Sequence, residues 1–74
     1  MPRRDPFLLA LGRRMRQLRE AKGWTQERLA ERAGIDRSYI AGIEAGLRNP
    51  SAKALAKIAK GFGLNLSAFF ETVA

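Results

Sequence analysis

An all-α fold, a compact bundle of five helices in one domain spanning 1–74, follows from three features of the sequence. Apolar side chains recur three and four residues apart in successive segments, and no stretch alternates polar and apolar residues as a strand would. The segments are bounded by residues that cap helices or by glycine and proline, which stop them. There is no cysteine, so neither a disulfide nor a thiolate metal site holds so small a chain together, and helix packing must do so.

The first helix is expected over 6–22, with Pro6 near its start, Phe7, Leu11, Met15 and Leu18 at helical spacing, and Gly23 as its stop. The segment is Arg-rich and acid-poor like a transit peptide, but its periodic apolar face makes it an integral helix. Thr25 caps a second helix over 26–33, with Leu29, Ala30 and Ala33 facing inward. Gly34 ends that helix by taking a positive φ, Ile35 drops into the core, and Asp36 caps a third helix that reaches residue 45. After the loop "GLRNP", Ser51 caps a fourth helix with Leu55, Ile58, Ala59 and Phe62 on one face and Lys53, Lys57 and Lys60 on another. A last short helix follows Gly63 and "LNL", with Ser67 as its expected cap. Trp24 is expected to be a buried prop between the first two helices, with its indole N–H in need of a partner.

Composition narrows the function. Fourteen Lys and Arg against seven Asp and Glu give a formal charge of +7, which favours a polyanionic partner: nucleic acid first, an acidic membrane surface second. The plainer alternative is a solvated basic face, so geometry has to supply the rest. The apolar runs "FLLALG" and "SAFF" fall far short of the roughly 20 residues that span a bilayer, and a soluble protein of the reducing cytoplasm is expected. With no His and no Cys, no acidic pair at a cleft and no Gly-rich phosphate loop after a strand, neither catalysis nor a metal, cofactor or small-molecule substrate is expected.

The stretch "TQERLAERAGIDRSYIAGIEAGLRNPS" resembles the helix-turn-helix of the Cro/repressor class, also called Xre-like, within a lambda-repressor-like DNA-binding domain. The resemblance rests on Trp24-Thr25-Gln26 before Leu29-Ala30, Gly34 at the turn, Ile40 and Ile43 in the next helix, Glu44 and Gly46 at its end, then Asn49-Pro50. It places the helix-turn-helix at about 25–45 and extends over about 8–70. Compact regulators such as the controller proteins of restriction-modification systems are similar. The resemblance implies a transcriptional regulator, a repressor among the expectations, that binds a double-stranded DNA operator without a cofactor.

On that footing the third helix is the reading helix. Its outer face carries small or hydrogen-bonding side chains and its inner face is anchored by isoleucines, as entry into the major groove requires. Arg37, Ser38, Ala41 and Gly42 stand at the family's base-reading positions. A guanidinium at 37 grips the O6 and N7 of a guanine, Ser38 donates or accepts, and Ala41 touches a thymine methyl; the plainer alternative for Arg37 is a phosphate contact. Thr25, Gln26, Tyr39, Arg48, Asn49, Ser51 and Lys53 fall where the family clamps the sugar-phosphate backbone, helped at Gln26 by a helix N-terminus. Lys57 and Lys60 read as a solvated face.

Two residues on this helix ask for separate accounts. Glu44, an acid beside phosphates, is expected to pair with Arg19 of the first helix, which neutralises it and pins the reading helix to the scaffold. Gly42 costs a helix about 1 kcal/mol relative to alanine. Either it allows close backbone approach to the groove wall, or it is a neutral outer position that carries no side chain.

The apolar residues Leu64, Leu66, Phe69, Phe70 and Val73 exceed what one small core readily buries. Residues 63–74 are therefore expected to form a homodimer interface, with at least one phenylalanine in it, and the target to be an inverted repeat. A different class of function, an antitoxin or a basic module on a protein or membrane surface, would need large apolar side chains on an outward helix face.

Overall fold

Residues 5–71 and 73 are described in the computed structural model. Their elements in chain order are α1 (Pro6–Ala21), α2 (Gln26–Ala33), α3 (Arg37–Glu44), α4 (Ala52–Phe62) and α5 (Leu66–Phe69). No strand occurs among these residues. The core is formed by Leu11 and Met15 of α1, Leu29, Ala30 and Ala33 of α2, Ile40 and Ile43 of α3, Ile58, Ala59 and Phe62 of α4, and Phe69 of α5. These are the inward positions of a 3.6-residue period, so packing follows directly from the pattern.

The helix boundaries have local causes. Thr25 and Ser51 accept hydrogen bonds from the N–H groups of Arg28 and Ala54 at 3.0 and 3.1 Å, each satisfying a donor that a helix start leaves unpaired. Asp5, which the sequence pattern did not single out, caps α1 by accepting from Phe7 at 2.8 Å and Leu8 at 3.4 Å. Gly34 closes α2 at φ 69°, a left-handed conformation that only glycine adopts without strain, and Ile35 then bonds back to the Ala30 carbonyl at 3.0 Å. That turn sets the angle between α2 and α3.

Several expectations change here. Asp36 holds the N-cap position and extended backbone of α3, but its side chain makes no capping bond. The cap of α5 is Asn65, not Ser67: the Asn65 side-chain oxygen accepts from Ala68 N–H at 2.8 Å, and asparagine is as strong a cap as serine. Trp24 is half-buried instead of buried; its ring stacks on Phe62 of α4 at 5.6 Å, with the Arg32 guanidinium 4.7 Å from the ring centre. Phe7 is 46% exposed and stacks on Phe70 at 6.5 Å instead of entering the core.

Phe69 is withdrawn from the expected dimer interface. It is fully buried within the single chain, 6.3 Å from the Phe62 ring, because a one-turn α5 laid on α4 must turn one aromatic inward. Arg14 of α1 fastens that turn, donating to the carbonyls of Phe69 at 2.8 Å and Ala68 at 2.9 Å. The remaining members of the apolar C-terminal set stay accessible: Leu66 is 41% exposed, and Leu64, Phe70 and Val73 are half-buried.

α1 packs across α3, and α2 packs against both α3 and α4. The α1–α3 crossing is tight at Gly12. A Cβ there would press on the Ile43 carbonyl oxygen and lie 2.7 Å from that of Glu44. The absence of a side chain at 12 therefore fixes how closely α3 sits on its support.

Candidate nucleic-acid interface

α3 presents Arg37 and Ser38 exposed, with Ala41 and Gly42 partly exposed one turn further on, while Ile40 and Ile43 anchor the opposite side. The exposed end is the N-terminal end, where unpaired N–H groups and the helix dipole favour negative charge. The four expected base-reading positions thus lie on the side of α3 away from the core, the last of them partly covered.

Beneath that surface a polar chain links three helices. Arg19 of α1 grips Glu44 with two prongs, Nε to Oε2 at 2.7 Å and Nη2 to Oε1 at 3.0 Å, and its Nη1 donates to the Trp24 carbonyl at 2.7 Å. The two side chains are only 13% and 5% exposed, so the acid is withdrawn from the face that α3 presents. The Glu44 hydrogen bond raises the Arg19 pKa above its ordinary value against the opposing effect of burial, and the guanidinium stays charged at any physiological pH.

Gln26 at the start of α2 continues the chain. Its Nε2 donates to Glu44 Oε1 at 3.1 Å and its Oε1 accepts from Arg37 Nη1 at 3.3 Å. A carboxylate on one side and a guanidinium on the other permit one amide orientation only. Arg37 is therefore not a free arm: its guanidinium is held by the side chain that heads α2.

A second group surrounds the loop after α3. The Tyr39 hydroxyl accepts from Ser51 N–H at 3.2 Å, joining α3 to the start of α4. The Arg48 guanidinium lies 4.7 Å from the Tyr39 ring centre, a cation–π contact that lays this long side chain back along α3. Asn49 and Lys53 are exposed nearby in sequence, and Ser51 and Thr25 use their hydroxyls as helix caps. Lys57, read as part of a solvated face, lines a shallow cleft together with Tyr39, Ser51 and Lys53, on the same side of the molecule as the loop.

Gly42 does not face open space as an outer position would. A Cβ there would stand 3.4 Å from Arg48 Cβ and 3.7 Å from Arg48 Nε. Sequence reasoning missed this neighbour, as it missed the Gln26–Arg37 bond and the bond from Arg14 to α5. Each joins residues on different elements, and nothing in local periodicity reports them.

The helix-turn-helix family model matches residues 15–69. Among curated proteins, the HTH-type transcriptional regulator PuuR of Escherichia coli is 40% identical over 63 residues, covering 85% of this chain and 34% of that protein. The chain thus spans about a third of the length of that relative. Among solved structures, the restriction-modification controller protein C.AhdI from Aeromonas hydrophila is 43% identical with a TM-score of 0.82, over 85% of this chain and 96% of that one. The controller protein C.Esp1396I, solved as a tetramer in complex with its natural 35 base-pair operator, is 39% identical with a TM-score of 0.84, over 90% of this chain and 88% of that one. With the family model matching most of its length, the chain belongs to the Xre-like helix-turn-helix family.

Proposed function

We propose that this chain is a sequence-specific regulator of transcription that binds double-stranded DNA, with α3 in the major groove of an inverted-repeat operator. The observation that carries the reading is the state of α3. Its outer face is small and polar, with Arg37 tethered at its edge, while the acid on the same helix is sequestered against Arg19. A free glutamate there would repel phosphate, whereas the paired one leaves a surface dominated by Arg37, Arg48 and Lys53. DNA binding of this kind uses no cofactor and no catalytic group, and it places the protein in the cytoplasm with the chromosome.

An eight-residue α3 is about 12 Å long and reaches one half-site only. A second copy related by a two-fold axis supplies the other, with half-site centres about 34 Å apart. Leu66, Phe70, Leu64 and Val73, together with Phe7, form the apolar surface on which that homodimer would close.

The test is a gel-shift titration of the purified protein against its selected duplex over a range of salt. Affinity should fall linearly with log salt concentration, and Arg37→Ala should relax preference at one base pair per half-site. Equal affinity for all duplexes, or tighter binding to anionic lipid vesicles than to DNA, would overturn the reading.

A further inference from the structure

The space beside Gly42 has a specific occupant. A Cβ at position 42 would already touch Arg48 at its Cβ and Nε, 3.4 and 3.7 Å away, and the same Arg48 side chain ends over the Tyr39 ring at 4.7 Å. Tyr39 is in turn fixed by its hydroxyl to Ser51 N–H at 3.2 Å. Residues 39, 42 and 48 therefore form a track: the glycine is its floor and the ring its end stop. We propose that Gly42 is a positioning residue whose missing side chain seats Arg48 along α3, so that the Arg48 guanidinium is held at the border of the reading surface before DNA arrives. This rests on the DNA-binding reading above and assigns Gly42 a role within it that differs from close approach to the groove wall.

The energetic logic is that of preorganisation. A long arginine free in solution loses rotamer entropy when it contacts DNA, whereas one already laid on an aromatic ring has lost much of it in the free protein. Alanine at 42 brings one methyl into ordinary contact with the arginine stem and leaves the track open. Valine places two further methyl groups on that Cβ, and in a helix its side chain is confined to one main rotamer, so Arg48 must leave the ring.

Two measurements test this. In the free protein, NMR should find the Arg48 side-chain protons displaced upfield by the Tyr39 ring. The displacement should persist in Gly42→Ala and vanish in Gly42→Val, whose other resonances stay folded. The second measurement is a double-mutant cycle on the tightest duplex recovered from a random pool. Gly42→Val and Arg48→Ala should each weaken binding about tenfold, and Gly42→Val should cost less than about twofold more when Arg48 is already alanine. An unchanged Arg48 shift in Gly42→Val overturns the inference, as does an equal loss of affinity from Gly42→Val in both backgrounds, which would mean the groove itself needs the glycine. Failure of the parent to bind any duplex would instead sink the DNA reading, and the NMR shift would still decide what Gly42 holds.

Discussion

At the scale of single residues, the proposed interface divides side chains that would read bases from side chains that hold. Arg37→Ala should cost about 1–3 kcal/mol on the preferred duplex and flatten discrimination at one base pair per half-site, measured by competition against single-base variants. Arg48→Ala should weaken all sequences alike and reduce the salt slope by about one unit per half-site. Glu44 belongs to the second group. With the pair nearly buried, Glu44→Ala leaves the Arg19 guanidinium without its partner and should lower unfolding stability by about 3 kcal/mol in a urea melt. Replacing both partners by Leu and Met should recover most of that loss. The sequence pattern led to the Arg19–Glu44 expectation because an acid on a DNA-facing helix demands a counter-charge. It could not lead to Gln26 as the residue touching both Glu44 and Arg37, since Gln26 heads α2 while Arg37 and Glu44 stand at the two ends of α3, and only the turn at Gly34 brings them together.

At the scale of elements, the helices themselves were legible because their start and stop signals are chemically explicit. Thr25, Gly34, Ser51 and Gly63 each do at a helix end what their residue type does best, and the apolar period supplies the core list almost entirely. The misreadings fall where two similar residues compete or where an aromatic has two faces to choose from. Asn65 and Ser67 are both competent caps two residues apart, and of the adjacent Phe69 and Phe70, whose rings meet edge to face at 5.3 Å, one is fully buried and the other half-buried. Glycines inside helices divide by what lies beside them. At Gly12 a methyl group would strike the backbone of α3, so Gly12→Ala should destabilise the fold by about 1–3 kcal/mol and displace the reading helix, visible in both thermal unfolding and DNA affinity. At Gly42 the neighbour is a flexible arginine stem at contact distance, so Gly42→Ala should raise stability by about 0.5–1 kcal/mol while binding is kept.

At the scale of the whole molecule, the chain is a platform that holds one short helix outward and leaves an apolar patch elsewhere. Phe7 and Leu66 are 46% and 41% exposed, and the Phe7 ring lies against Phe70, so the ends of α1 and α5 share that patch. Phe70→Glu should shift sedimentation from dimer to monomer without unfolding the chain, because the buried aromatic of the pair is Phe69 and not Phe70. The most direct test of the central claim, that two copies of α3 read a symmetric site, is selection of bound duplexes from a random DNA pool followed by sequencing. The account predicts enrichment of an inverted repeat whose half-site centres lie about one helical turn, roughly 34 Å, apart. Recovery of no preferred sequence, or of a single site without two-fold symmetry, would contradict it.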